Sequence, residues 1–197
     1  MVDYLVGGFL MSEIPSFNSD GLLPVGDYEI SIADLKHSLL VTGINVGSQT
    51  WDSKWRLQLV DNLSIMVEQL WSAGINEIFI DGSFVEDKDH PNDIDGYFNI
   101  DVNELKEKVR FLNSIDPYSV WTWCQNSRSK YKNYPKLQIP MWHKYRVELF
   151  PEFGQLSGIK DEFGNNQIFP AAFRRSRRNG IPNGIIKIKP PLNGGAQ

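Results

Sequence analysis

A chain of 197 residues, 41% of them hydrophobic and 12% aromatic, has the composition of a packed globule and not of a disordered segment. Its formal net charge of −4 excludes a uniformly basic surface, so a polyanion would have to meet a local basic patch. The single cysteine, Cys124, excludes an intramolecular disulfide framework and a multi-cysteine zinc site, which fits a reducing cytoplasm, and no apolar run has the length of a membrane span.

Residues 1–11 read as an extension without the basic leader or long apolar core of a signal peptide, and Met11 is an alternative start. Residues 17–28 are turn-rich and are expected to wrap the surface with their apolar side chains tucked in. Ser31 followed by Asp34 is a capping-box start for a short helix whose Ile32, Leu35, Leu39 and Leu40 would cover a sheet. His37 lies on it with no second metal-type ligand nearby, which favours a plain hydrogen-bonding role. From Trp51 to Ala73, Trp55, Leu59, Leu63, Met66 and Leu70 recur at helical spacing on one stripe, with Thr50 as the expected cap and Gly74 as the stop.

The chemistry is concentrated in the next two strands. Ile78-Phe79-Ile80-Asp81-Gly82-Ser83-Phe84 reads as a strand ending in a Gly-Ser turn. After a short polar loop, Asn92-Asp93-Ile94-Asp95-Gly96-Tyr97-Phe98 opens a second strand with two aspartates. A strand repeats every two residues, so Asp93 and Asp95 share a face and repel each other unless a cation lies between them. A divalent ion such as magnesium is the simplest candidate, because it takes one or two carboxylates and completes its shell with phosphate oxygens and water. Gly82 admits a ligand close to the main chain, and Ser83 adds a small hydroxyl for anionic oxygens. The bland alternative is a polar hairpin with solvated acids. His90, in the intervening loop, could touch a phosphate or merely solvate the turn.

Val102–Ile115 carries a second amphipathic pattern, ended by Asp116-Pro117. Val120–Cys124 reads as a short strand. Gln125–Leu137 is a loop interleaving Arg128, Lys130, Lys132 and Lys136 with Tyr131 and Tyr134, which suits either a nucleotide or nucleic-acid contact or an ordinary surface. Met141–Phe150 reads as a strand with Lys144, Arg146 and Glu148 on one face; Glu148 either serves a metal or an incoming hydroxyl, or pairs with the neighbouring bases. Gly164-Asn165-Asn166 is hairpin-turn chemistry. Arg174, Arg175, Arg177 and Arg178 form a dense basic cluster, able to clamp phosphates or to pair with surface acids. Ile185–Lys189 alternates as a strand before a Pro/Gly/Asn tail.

Gly82-Ser83, the gap Phe84–Asn92 and Asp93-Ile94-Asp95 together resemble the signature of the polymerase-beta-like nucleotidyltransferase superfamily. Gly96 departs from it, since the family pattern has an apolar residue there; a bulge or a close approach of substrate is the expected cause. Residues 17–189 look like a family of uncharacterised bacterial nucleotidyltransferase-like proteins sharing Gly-Leu-Leu-Pro, Phe-Ile-Asp-Gly-Ser-Phe-Val, Pro-Asn-Asp-Ile-Asp-Gly-Tyr and Pro-Met-Trp-His-Lys-Tyr-Arg-Val-Glu-Leu.

The resemblance implies an α+β fold, a small mixed or antiparallel sheet carrying both motifs and flanked by helices. It would be one domain over 1–197, with a wrap and short helix in 1–50, a catalytic core in 51–150 and a basic hairpin and tail in 151–197. It further implies two Mg2+ ions, with Mn2+ able to substitute, on Asp93, Asp95 and Glu148. Gly82, Ser83, Lys144, Arg146, Arg174, Arg175, Arg177 and Arg178 would serve the phosphates. The reaction would move a nucleoside monophosphate from an NTP or dNTP, without a template, to an RNA end, a protein side chain or a growing oligonucleotide. The implied setting is toxin–antitoxin or antiphage defence, with a cognate antitoxin or effector as partner. The rival is a transferase-like module that binds nucleotide or a partner without turnover. A metal-dependent phosphohydrolase would need a histidine cluster, which three scattered histidines do not make.

Overall fold

The structure is a computed structural model that describes residues 14–191. The expected extension over 1–11, its alternative start and the end of the tail lie outside the described residues.

Five strands make one mixed sheet in the order β1-β7-β2-β3-β4: β1 (Asp27–Ile30), β7 (Ile185–Ile188), β2 (Ile78–Asp81), β3 (Ile94–Asn99) and β4 (Val147–Glu152). The β1/β7 and β3/β4 pairs are parallel, and β2 runs antiparallel to both its neighbours. The α+β expectation with a mixed, helix-flanked sheet therefore holds at that level. β1 comes from the expected wrap, and β7 from the expected tail forms an inner strand. Ile185-Ile186-Lys187-Ile188 can lie there because its two faces meet two separate apolar layers.

One face of the sheet carries Ile78, Ile80, Ile94, Phe98, Val147, Leu149, Ile186 and Ile188 into the main core. That core is closed by α1 (Ile32–His37), α2 (Leu39–Thr42), α3 (Ser53–Ser72), α4 (Val102–Ile115) and α5 (Pro140–Tyr145). Ser31 and Asp34 make the expected capping contacts on α1. On α3, Leu59, Leu63, Met66 and Leu70 are fully buried, each contributing about 1.5–3 kcal/mol by leaving water. Its cap is Asp52, whose carboxylate accepts from Trp55 N at 2.9 Å. Thr50 instead gives its hydroxyl to Asp89. Among the described residues no helix is long and apolar enough to cross a membrane.

The other sheet face holds Phe79 stacked on Tyr97, covered by Phe173 and by Phe169 of α6 (Phe169–Ala172). Beside it a two-stranded hairpin, β5 (Leu156–Lys160) with β6 (Asn166–Ile168), closes through Gly164-Asn165 as expected.

Three local expectations need correction. Gly96 sits in continuous ladder pairing opposite Ile80, with no bulge; a β-carbon there would meet Phe79 O at 2.3 Å and Leu149 Cδ2 at 2.8 Å, so the neighbouring strands demand glycine. Val120–Cys124 joins no sheet and tightens instead through Thr122 N donating to Val120 O at 2.8 Å. Its indoles supply further bonds, Trp121 Nε1 to Gln69 Oε1 at 2.6 Å and Trp123 Nε1 to Leu149 O at 2.9 Å. Met141–Tyr145 is helical, opened by Pro140 at its first position and ended by Arg146 at φ +57°, so the strand begins only at Val147.

Candidate functional site

β2 ends at Asp81, and the chain turns sharply at Gly82, φ +73°, into a short 3-10 turn over Gly82–Val85. Asp81 pairs with Asp95 across β2/β3, and Asp95 pairs with Glu148 across β3/β4. Opposed residues in a ladder point to the same side, so three carboxylates stand abreast, with Asp93 two residues upstream of Asp95. They line a cleft of about 670 Å³ together with Gly82, Ser83, Glu86 and a set of cations.

Crowding these acids in a partly dry cleft disfavours their charged forms. Burial, then the neighbouring Asp93 charge, pushes Asp95 up to about 7. The same two causes push Glu148 up to about 6. Burial raises Asp93 as well, opposed by the indole of Trp142, whose Nε1 donates to Asp93 Oδ2 at 2.6 Å. Asp81 is raised well above the usual carboxylate range by burial, although Asn183 Nδ2 donates to it at 2.8 Å. Glu148 Oε1 is buried without a hydrogen-bond partner. Such an atom, beside two repelling carboxylates, fits a site that receives a cation. Among the described residues no three His, Cys, Asp or Glu side chains are grouped closely enough to hold a metal ion alone.

The cations partly offset this charge. Arg177 acts on Asp93, Asp95 and Glu148, Lys88 and Arg146 on Asp93, Arg128 on Glu148, and Lys136 on both Asp95 and Glu148. Of the phosphate-side residues expected from sequence, Gly82, Ser83, Arg175, Arg177 and Arg178 line the cleft.

Lys144, Arg146 and Arg174 do not. Since residues 141–145 are helical, Lys144 and Arg146 lose the alternation that would have aligned them with Glu148. Lys144 Nζ lies 3.5 Å from the centre of the Tyr118 ring, and the Arg146 guanidinium is held between Tyr131 and Trp142 at 4.1 and 3.8 Å. Arg174 makes a bidentate ion pair with Asp27 on β1. Two of the cleft arginines also have protein partners: Arg175 pairs with Glu162, while Arg178 pairs with Asp87 and donates to Asp20 O. Arg177 alone of the four makes no ion pair among the described residues. His90 binds Asp52 and stacks on Trp55, which is the turn role and not the phosphate one.

Arg128, Tyr134 and Lys136, from the loop expected to be either a nucleotide contact or an ordinary surface, also line the cleft, as do Asp81, Glu86 and Lys88, to which no site role was given from sequence. The 125–137 loop did carry a signal, its alternation of bases with tyrosines. Asp81 carried one too, as an acid closing an apolar strand just before Gly82.

The fold and this cleft define an α+β protein with an acidic floor and a cationic rim. The chain belongs to DUF6932, a family of unknown function, which matches residues 15–189. No curated protein and no solved structure matches it. That finding overturns the resemblance to the polymerase-beta-like superfamily, because the matching family is one of unknown function and no nucleotidyltransferase family matches. Gly-Ser and Asp-x-Asp are short patterns that a strand, turn and strand can produce independently. The toxin–antitoxin or antiphage setting and its partner rested on that resemblance alone.

Proposed function

We propose that this cleft transfers a nucleoside monophosphate from an NTP or dNTP to a hydroxyl acceptor. The observation that carries the reading is the convergence of Asp93, Asp95 and Glu148 on one cleft with Gly82-Ser83 and with Arg177, a cation acting on all three acids. Asp93, Asp95 and Glu148 are the residues that would hold magnesium, or manganese in its place. The raised carboxylates and the unpartnered Glu148 Oε1 fit that role. When bound, two such ions would neutralise the triphosphate and lower the pKa of the attacking hydroxyl.

The chain's own residues supply the rest. Ser83 and the turn at Gly82, both of which line the cleft, hold the terminal phosphates. The acceptor oxygen attacks the α-phosphorus, forming a new O–P bond as the α–β P–O bond breaks, and the electron pair leaves with pyrophosphate. Glu148, in register with Asp95 across β3/β4, stands where it can take the acceptor's proton. Arg177 offsets the charge that builds on the leaving pyrophosphate.

The test is incubation of the purified protein with each labelled NTP and dNTP plus Mg2+ or Mn2+, with and without bulk tRNA, beside an Asp93→Asn, Asp95→Asn double variant. Label transferred by the wild type and lost in the variant supports the reading. A second reading is a nucleotide-binding module on the same fold without turnover. Metal-dependent nucleotide binding with no transfer to any acceptor would select it.

A further inference from the structure

Four cleft cations make no ion pair among the described residues, Lys88, Arg177, Arg128 and Lys136, and they stand in two groups. Lys88 follows the Gly82-Ser83 turn in the chain and acts on Asp93; Arg177 reaches toward all three acids. Arg128 and Lys136 come from the 125–137 loop. There Ser129 and Gln138 exchange two main-chain hydrogen bonds, Ser129 N to Gln138 O at 2.9 Å and Gln138 N to Ser129 O at 2.8 Å. That bridge closes the loop at its neck and brings Arg128 and Lys136 together beside Glu148. Tyr134 leans on Trp142, whose indole holds Asp93, and its ring lines the cleft.

A single triphosphate is served by the first group, Ser83, Lys88 and Arg177. The second group is then a pair of cations without an ion-pair partner, beside a tyrosine that packs on Trp142 and whose hydroxyl accepts from Asn92 Nδ2 at 3.3 Å. A protein hydroxyl brings no phosphate to meet them; a nucleic-acid strand brings phosphodiesters for the cations and a base for the ring. A cleft of about 670 Å³ is too small to take a folded nucleic acid, so a strand would enter by its end.

We propose that the wall formed by Arg128, Tyr134 and Lys136 binds the end of a single-stranded nucleic acid, which is the acceptor of the transfer. The assignment of acceptor rests on the nucleotidyl-transfer reading; the binding of the strand does not.

The experiment measures fluorescence anisotropy of short end-labelled single-stranded RNA and DNA, separately, without nucleotide or metal, over a salt series. Arg128→Ala, Lys136→Ala is compared with wild type and with Lys106→Ala, Arg110→Ala, which removes the same charge from exposed positions on α4. Thermal melting verifies that each variant folds. Strand binding weakened about tenfold, with a flatter salt dependence, in the first double variant only supports the proposal, and the RNA and DNA arms name the sugar. Equal weakening in both double variants, or no binding of either strand, overturns it. Label transferred to protein without strand binding overturns it while leaving nucleotidyl transfer standing. Strand binding specific to this wall with no transfer from any nucleotide keeps the strand site and removes the reaction.

Discussion

Gly82 and Asp95 are in contact across the β2/β3 pair: a β-carbon at residue 82 would lie 2.6 Å from Asp95 Oδ2. The two sequence motifs are thus one packed unit, in which the turn leaves room for the carboxylate. Gly82 also sits at φ +73°, where an L side chain is strained. Gly82→Ala is expected to lose about 1–2 kcal/mol of stability from the backbone alone and to displace Asp95. Melting should fall by several degrees, and metal-dependent nucleotide binding should fall with it. A variant with undiminished binding would show that the contact is incidental.

Asp95 titrates near 7 in the fold because of burial and the Asp93 charge, against about 4 in an unfolded chain. The folded protein therefore keeps a proton that the unfolded chain has released between about pH 4 and pH 7. Stability decreases as pH rises through that window, in the absence of metal. Asp95→Asn removes this slope. Its stability relative to wild type should grow with pH and reach on the order of 2 kcal/mol by pH 8, read from denaturant midpoints at a series of pH values. Adding Mg2+ at pH 8 should restore wild type and leave the variant unmoved. Parallel pH profiles for the two proteins would rule the repulsion out.

Arg56 is a fully buried cation on α3, and burial lowers it to about 9. Its guanidinium donates to Leu40 O, Phe84 O, Glu86 O and Lys88 O and stacks on Trp51 at 3.8 Å. Three of those carbonyls belong to the segment leading from the Gly82-Ser83 turn, so this side chain ties the turn to the helix layer. Arg56→Met removes donors from buried carbonyls and should cost about 3 kcal/mol or more. Arg56→Lys, which keeps the charge but not the planar fork, should recover only part of it. A small loss in either, measured by urea unfolding, would mean that water replaces the donors at no cost.

What could be read from sequence was local. The α3 stripe, the Ser31–Asp34 box, the Gly164-Asn165 turn and the motif strands depend on residues a few positions apart, and all four formed. Asp95 needed only the strand period, while Asp93, expected to open the strand, lies just before β3 begins at Ile94; Glu148 needed its register with β3, which the apolar Val147 and Leu149 hinted at through their burial on the opposite face. Failures came where distant partners decide. Arg174 finds Asp27 147 residues away, and nothing within the Arg174–Arg178 stretch separates it from Arg177. Residues 141–145 alternate well enough for a strand, yet Pro140 and the burial of Met141, Trp142 and Tyr145 on one side favour a helical turn. Arg56 looks like a solvated helix residue until the loops that close over it are known.

Those arginines provide the sharpest contrast between a structural cation and a working one. Arg174 is committed to Asp27, whereas Arg177 is exposed, makes no ion pair among the described residues and acts on the three cleft acids. Arg177→Ala should leave melting within about 1 °C of wild type, since exposed positions without partners contribute little stability. It should raise the KM for nucleotide about tenfold or more, the scale of one lost charge-assisted phosphate contact. Arg174→Ala should do the reverse, losing up to about 1 kcal/mol of stability, as partly exposed pairs do, with the KM unchanged. If both variants shift the KM equally, the basic cluster acts on nucleotide as a diffuse field, and the assignment of Arg177 to the phosphates is wrong.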